Sequence, residues 1–131
     1  MSQPAKYASI DLGTNTLRLL VAEVGPDGSL KPIVWRRAIT RLGGAYTEER
    51  GIDKASAHRA FKALEGFVEV LIDHGITDVT AAATSVVRRA VNRDWFASEV
   101  LRRTRIRLSV ISGEEEARLS LLGVLSVPGG S

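Results

Sequence analysis

The chain has 131 residues, of which 44% are hydrophobic, 25% charged and 5% aromatic, and it contains no cysteine. This composition is that of one globular domain, and it excludes a disordered chain, a collagen-like repeat, a disulfide scaffold and thiol catalysis. Lys and Arg outnumber Asp and Glu by 18 to 15, and because most of these cations are Arg, we expect an anionic partner. The N-terminal MSQPAK lacks the apolar core of a signal peptide, and no apolar run reaches the roughly 20 residues that cross a bilayer, so we expect a cytoplasmic protein without a membrane partner.

Three short apolar segments open the chain and are predicted to form strands at residues 6–11, 17–24 and 30–40. The sequence LGTNT at residues 12–16 separates the first two segments, and GPDG at residues 25–28 separates the second from the third. Both connections are rich in residues that favour tight turns. The pattern therefore predicts three consecutive antiparallel strands.

A polar, glycine-bearing loop at residues 41–51 precedes a change in periodicity. From Asp53 onward, apolar residues recur at helical spacing, which predicts a helix of about twenty residues. Asp53 is suited to be its N-cap, and Gly75 lies just beyond its end.

Two strand–helix units follow the long helix. Their predicted elements are a strand at residues 76–83, a short helix or turn at 84–93, a helix capped by Asp94 that ends near Arg103, and a strand at 105–111. A last helix at residues 112–127 has an explicit start signal, since Ser112 and Glu115 form a capping box. The order βββαβαβα predicts an α/β fold with a mixed five-stranded sheet and helices on both faces.

The turn that leaves the first strand is the first candidate for chemistry. There Asp11 is followed by Gly13, two hydroxyl residues, Thr14 and Thr16, and the amide of Asn15. Such a turn can present backbone N–H groups and side-chain donors to a phosphate, while the carboxylate holds a metal ion or its water. An ordinary hairpin turn is the alternative, and the spacing alone leaves both interpretations open.

The start of the last helix is the second candidate, because three carboxylates follow one another there. Glu115 is explained by the capping box, and Glu114 can pair with Arg118 one turn later. Glu116 has no structural role of this kind. A solvated surface position is the alternative for Glu116.

The segment after the fourth predicted strand is the third candidate. Ligands of open α/β sheets gather beyond the carboxyl ends of the strands, so Arg88 or Arg89 could reach an anion there. A solvated basic helix face is the alternative. The sequence contains no His/Cys metal-ligand spacing, no Walker A loop and no GxGxxG loop.

Four segments in this order resemble the exopolyphosphatase and guanosine pentaphosphate phosphohydrolase family, Ppx/GppA, of the actin-like ATPase superfamily. They are IDLGTNTLRLLVAEV, RLGG, ATSVVRRAVN and VISGEEEARLSLLGV, and the last is the most specific. The resemblance covers about residues 7–126. It implies an actin-like ATPase (ribonuclease H-like) fold, in which residues 1–131 form the N-terminal lobe.

The resemblance also implies roles for the first candidate segment. Asp11 would lie near a divalent metal, Mg²⁺ or Mn²⁺, and Gly13, Thr14, Asn15 and Thr16 would form the first phosphate-binding loop. The family usually has Ser where this chain has Thr14 and Thr16, so the hydroxyl is kept and a methyl group is added.

Two further residues match functional positions of the family. Arg88 corresponds to the arginine that holds a phosphoryl group, and Glu116 corresponds to the glutamate proposed to activate the attacking water. Arg89 has no such counterpart. The implied reaction is hydrolysis of the terminal phosphoanhydride of polyphosphate or guanosine pentaphosphate, in which positioning and charge neutralisation dominate.

The family pattern continues beyond this sequence with a second phosphate loop of the type DxGGGS on a second lobe. We therefore expect that lobe to be a partner in the complete site, and the fragment alone to be weakly active or inactive. The sequence leaves the oligomeric state open, with a homodimer among the alternatives.

Two other functions are retained as alternatives. One is a lobe of a sugar or acetate kinase or of an actin-like ATPase. The other is a non-catalytic module that binds phosphate, a nucleotide or nucleic acid, although the low aromatic content argues against nucleic acid because few rings are available for stacking.

Overall fold

Five strands form one mixed sheet in the computed structural model of the chain, which describes residues 5–110, 112, 114 and 115. The strands are β1 (Lys6–Leu12), β2 (Thr16–Val24), β3 (Leu30–Ile39), β4 (Val79–Ala83) and β5 (Leu108–Val110). Their order across the sheet is β3-β2-β1-β4-β5. The first three strands are antiparallel, whereas β4 is parallel to β1 and β5 is parallel to β4. The predicted mixed sheet is confirmed.

Three helices connect the strands in the described part of the chain. They are α1 (Lys54–Asp73), α2 (Ser85–Arg89) and α3 (Arg93–Thr104). Asp53 caps α1, because its carboxylate accepts a hydrogen bond from the N–H of Ala55 at 3.2 Å. Gly75 lies just past the end of α1 with a φ of +66°, a conformation that glycine adopts at low cost. Both predicted ends of α1 are confirmed.

The fourth strand begins three residues later than predicted, at Val79 rather than at residue 76. The N–H of Ile76 donates to the carbonyl of Leu71 at 2.9 Å, and the N–H of Gly75 donates to that of Ile72 at 3.0 Å. This pair of bonds is a Schellman motif. The first residues of the predicted strand therefore finish the helix instead.

The start of α3 and the residues after it also correct the prediction. Asn92, not Asp94, is the N-cap of α3, and Asp94 lies in the first turn, where a carboxylate is favourable beside the helix N-terminus. At the other end Arg105 adopts a φ of +65°, and the hydroxyl of Thr104 accepts a hydrogen bond from the N–H of Ile106. These contacts terminate α3, so the fifth strand, Leu108–Val110, begins three residues later than the predicted start at residue 105.

The start signal of the last predicted helix is present in the structure. The N–H of Glu115 donates to the hydroxyl of Ser112 at 3.0 Å, which is the N-cap half of the predicted capping box. Most of the helix predicted at residues 112–127 lies outside the described residues. The prediction that a helix covers the second face of the sheet depends on that segment.

The core lies between one face of the sheet and the helices α1 and α3. Alternate residues of β1 and β2 point to this face and are fully buried, as their period of two requires. Phe61 of α1 stacks on Phe96 of α3, with ring centroids 5.4 Å apart. Each such side chain contributes about 1.5–3 kcal/mol through its burial. No helix among the described residues has both the length and the apolar character needed to span a membrane.

Candidate active site

The carboxyl ends of β1 and β4 lie side by side at one edge of the sheet. Because the two strands are parallel, Leu12 is next to Ala83, and the chain leaves both strands in the same direction. Thr84 then joins the two strand ends, since its N–H and its hydroxyl both point to the carbonyl of Leu12, at 3.3 and 3.4 Å. The segment that follows β1 is therefore held beside the start of α2, at the edge where α/β sheets bind their ligands.

The turn that follows β1, here called the β1–β2 turn (residues 13–15), is held by a second loop. We call that loop the support loop (residues 40–44). The N–H groups of Thr40 and Arg41 both donate to the carbonyl of Asn15 at 3.0 Å, and the N–H of Gly43 donates to the carbonyl of Thr14 at 2.9 Å. An isolated hairpin has no such partner, so this turn is anchored to a second segment of the chain; its role in phosphate binding stays a prediction.

These bonds determine where the donors of the turn point. The carbonyl of Thr14 and the N–H of Asn15 belong to one planar peptide unit and point in opposite directions. Because the carbonyl of Thr14 is bound to the support loop, the N–H of Asn15 points away from that loop. Within the part of the chain that the structure describes, the N–H groups of Thr14 and Asn15 have no acceptor. They are available to an anionic ligand.

The extra methyl group of Thr14 is accommodated by the glycine opposite it. A Cβ atom built on Gly43 would lie 2.6 Å from Cγ2 of Thr14, closer than two carbon atoms can approach. The absence of a side chain at Gly43 therefore makes room for threonine where the family usually has serine.

Asp11 lies near the end of β1 and faces Arg18, its register partner on β2. Nη1 of Arg18 and Oδ2 of Asp11 are 3.7 Å apart, and both side chains are mostly buried. No role for Arg18 could be predicted from the sequence, although the residue belongs to the segment IDLGTNTLRLLVAEV. Its position in a strand directly across from Asp11 becomes visible only when the register is known.

The described residues contain no group of three or more His, Asp or Glu side chains that could hold a metal ion. Among the described residues, Asp11 offers a carboxylate at this edge of the sheet, and Thr14 and Thr16 carry hydroxyl oxygens close to it in sequence. Mg²⁺ is often bound through one or two carboxylates, with substrate phosphates and water completing its shell. The donor set at Asp11 fits that mode of binding.

Arg88 lies in the last turn of the short helix α2 and is half-buried. Ser85, which begins α2, has a φ of +39°, an uncommon conformation for a residue with a side chain. The carbonyl of Arg88 accepts a hydrogen bond from Nη1 of Arg93 at 2.8 Å, which links α2 to α3. The structure thus places Arg88 shortly after Thr84, the residue that follows β4 and is bound to the end of β1.

Arg89 contacts an aromatic ring of the loop that precedes α1. Its guanidinium carbon lies 5.5 Å from the ring centroid of Tyr46, a cation–π contact. Burial and the carboxylate of Glu48 raise the pKa of Tyr46 above its ordinary value of 10.0, against the opposing effect of Arg89. Arg89 is exposed, and its guanidinium lies over the ring of Tyr46; the resemblance gives it no role in phosphate binding.

Asn92, which lies between α2 and α3, binds the loop that precedes α1. Its side chain accepts a hydrogen bond from the N–H of Ile52 at 2.9 Å and donates one to the carbonyl of Ile52 at 3.0 Å. Gly51 has a φ of +78°, and a Cβ atom there would collide with the Asn92 side chain. The last residue of the ATSVVRRAVN segment thus has a structural role that the sequence did not reveal.

Glu116 lies outside the described residues. The strand that leads toward it ends at the same edge of the sheet, because Val110 of β5 is next to Ala83 of β4. Glu114 and Glu115 are exposed. The role of Glu116 stays a prediction.

Comparisons with known proteins agree with this geometry. Residues 20–128 match the model of the Ppx/GppA phosphatase family. Exopolyphosphatase 1 of Mycobacterium tuberculosis is 33% identical over 115 residues, which cover 88% of this chain and 33% of that protein. The guanosine-5'-triphosphate,3'-diphosphate pyrophosphatase of Pseudoalteromonas atlantica is 38% identical over 121 residues, which cover 90% of this chain and 23% of that protein.

Solved structures give the same result for the fold. The crystal structure of an exopolyphosphatase from Cytophaga hutchinsonii matches with a TM-score of 0.87 and 29% identity, over 92% of this chain and 38% of the other. The actin-like ATPase fold expected from the sequence is confirmed. The chain spans between about a quarter and two fifths of the length of these three proteins.

Proposed function

Because the chain belongs to the Ppx/GppA phosphatase family, we propose that it forms part of an enzyme that hydrolyses the terminal phosphoanhydride of inorganic polyphosphate or guanosine pentaphosphate. The names of the exopolyphosphatase and pyrophosphatase relatives support these two substrates. The observation that carries the proposal is the meeting of the β1–β2 turn, with its unpaired N–H groups, and α2, with Arg88, at one edge of the sheet.

The β1–β2 turn binds the phosphoryl oxygens in this proposal. The N–H groups of Thr14 and Asn15 donate to them, and the hydroxyl groups of Thr14 and Thr16 are further donors on the same turn. Because the support loop holds the turn before substrate arrives, these dipoles need little reorganisation during the reaction. Arg88 adds a positive charge to the oxygens of the transferred group.

Asp11 is the residue that would hold Mg²⁺ or Mn²⁺. When bound, the metal ion neutralises charge on the phosphoryl oxygens. The nearby guanidinium of Arg18 limits the net negative charge of the Asp11 position, which favours a site completed by substrate phosphates over a tight site for the ion alone.

Glu116 is the proposed general base that orients and deprotonates the attacking water. The end of β5 beside β4 supports this assignment, as does the start of a capped turn at Ser112 and Glu115. The sequence around this position is also the most specific of the four family segments.

We propose that residues outside this chain complete the site, because the relatives are about three times as long. In that arrangement residues 1–131 form the first lobe, and a second lobe supplies another phosphate loop. The chain alone would then be weakly active or inactive. Its cytoplasmic location and homodimer formation stay predictions.

The test is phosphate release from tripolyphosphate and from guanosine pentaphosphate by the full-length protein that contains this chain. E116Q is expected to lower kcat by about 10²- to 10⁴-fold, since it removes the general base. E114Q is the matched control, and we expect it to retain activity because Glu114 is an exposed neighbour.

Two results would contradict the proposal at different levels. Undiminished phosphate release by E116Q would reject the role of Glu116. If the wild-type protein releases phosphate from neither substrate but transfers phosphate from ATP to an acceptor, the sugar-kinase alternative would replace it.

A further inference from the structure

Arg59 of α1 holds the support loop from the side opposite the β1–β2 turn. Its Nε donates to the carbonyl of Thr40 at 2.8 Å, and its Nη2 donates to the carbonyl of Arg41 at 3.3 Å and to the hydroxyl of Ser56 at 3.0 Å. The Ser56 hydroxyl in turn donates to the carbonyl of Gly44 at 3.0 Å. The guanidinium of Arg59 thus binds the start of the support loop directly, and it is linked to Gly44 at the end of that loop through the hydroxyl of Ser56.

The residues that Arg59 holds are the ones that hold the turn. The carbonyl groups of Thr40 and Arg41 accept hydrogen bonds from Arg59. The N–H groups of the same two residues donate to the carbonyl of Asn15. Arg41 has a φ of +49°, a conformation that a residue with a side chain adopts only when its surroundings impose it. Arg59 is therefore separated from Asn15 by one residue of the support loop.

The donors of Arg59 have no acidic partner in the part of the chain that the structure describes. Within the described residues Arg59 forms no ion pair, and its hydrogen bonds go to two backbone carbonyls and one hydroxyl. This pattern differs from that of Arg102, whose guanidinium is paired with Glu99 on the surface. A planar fork that reaches several acceptors at fixed angles is a property of Arg that Lys does not share.

We propose that Arg59 is a positioning residue for phosphate binding: by fixing the support loop, it fixes the carbonyl groups of Thr14 and Asn15, and with the first of these the direction of the N–H group of Asn15. The proposal rests on the proposed function, because it gives the turn a phosphate ligand. Arg59 itself need not touch the substrate.

The experiment compares R59M, R59K and the control K62M in the full-length protein. Lys62 is an exposed cation on the same helix with no hydrogen bond or ion pair among the described residues. Hydrogen exchange followed by mass spectrometry measures the amides of residues 40–44. Steady-state kinetics with tripolyphosphate measure kcat and KM well below the unfolding temperature.

We expect R59M to accelerate exchange at residues 40–44 at least about tenfold and to lower kcat/KM about 10- to 100-fold, as loss of a residue that orients a site commonly does. R59K is expected to resemble R59M more than the wild type in both the exchange rate and kcat/KM, because one ammonium group cannot reach all the acceptors of the Arg59 guanidinium. K62M is expected to match the wild type in both measurements.

Several results would overturn the proposal. Unchanged exchange in R59M would show that Arg59 does not hold the loop, and faster exchange with unchanged kcat/KM would show that the loop does not position the turn. Full activity of R59K would assign the effect to charge alone. If the wild-type protein releases no phosphate, the proposed function fails separately, and the positioning role is then decided by the affinity for inorganic phosphate, which R59M must weaken and K62M must not.

Discussion

The core beneath the sheet and the β1–β2 turn at its edge are held by different kinds of interaction. In the core, side chains such as Phe61 and Phe96 are fully buried and stabilise the fold through the apolar area that they remove from water. At the turn, backbone carbonyls accept hydrogen bonds from the support loop, and side chains from α1 hold that loop in place. Changes in the core should therefore act mainly on stability, whereas changes at the turn should act mainly on activity and lower stability less.

The largest expected effect on stability is that of F61A. Phe61 contacts Phe96 and the ring of Trp95, and removing its side chain leaves a cavity in the core. We expect the free energy of unfolding to fall by about 3–5 kcal/mol, measured by denaturant titration. If the protein remains folded in the cold, kcat per folded molecule should change little. A large loss of kcat with unchanged stability would contradict the division between core and site.

G43A should have a smaller effect on stability and a larger one on activity. The added Cβ would overlap the γ-methyl of Thr14, so the turn must shift, at a cost of about 1–3 kcal/mol. T14S removes that methyl, and the double variant T14S/G43A should recover most of the lost kcat/KM in a phosphate-release assay. If T14S does not rescue G43A, the methyl contact is not the reason for glycine at this position.

The smallest effect of the three is expected for N92A. The variant loses two hydrogen bonds to Ile52, which lies in the loop before α1, and we expect unfolding to become easier by about 1–2 kcal/mol. Denaturant titration measures the change, with S98A as a control for an exposed residue of α3. A change no larger than that of the control would show that Asn92 is not needed to fasten the loop.

The elements that the sequence predicted correctly depend on local signals. Asp53 and Gly75 mark the ends of α1 because each acts on backbone groups within a few residues of itself. The alternating burial of β1 and β2 is likewise a property of neighbouring residues. Such signals can be detected without knowing which distant segments meet.

The predictions that were wrong or missing depend instead on contacts between segments that are distant in sequence. Asp94 was expected to cap α3, but the cap is Asn92, whose side chain binds Ile52 from 40 residues away. The contact between Thr14 and Gly43 and the bonds of Arg59 to the support loop also join segments that are far apart in sequence. The sequence marks Asp11, Thr14 and Arg88 as candidates but leaves an ordinary turn and a solvated helix face open, since no local pattern distinguishes a phosphate loop from an ordinary turn. Only the resemblance to a family gives them roles, and those roles stay predictions.

The bond between Thr84 and Leu12 joins residues that are 72 positions apart, whereas the hairpin of β1 and β2 closes over a few residues. Closing a long loop costs more chain entropy than closing a short one, and contacts of this kind form late when a chain folds. During synthesis the β1–β2 turn therefore emerges and pairs well before the segment that carries Arg88 exists. The two halves of this edge of the sheet can meet only after α1 and β4 have been synthesised, so the proposed phosphate site is assembled from an early and a late part of the chain.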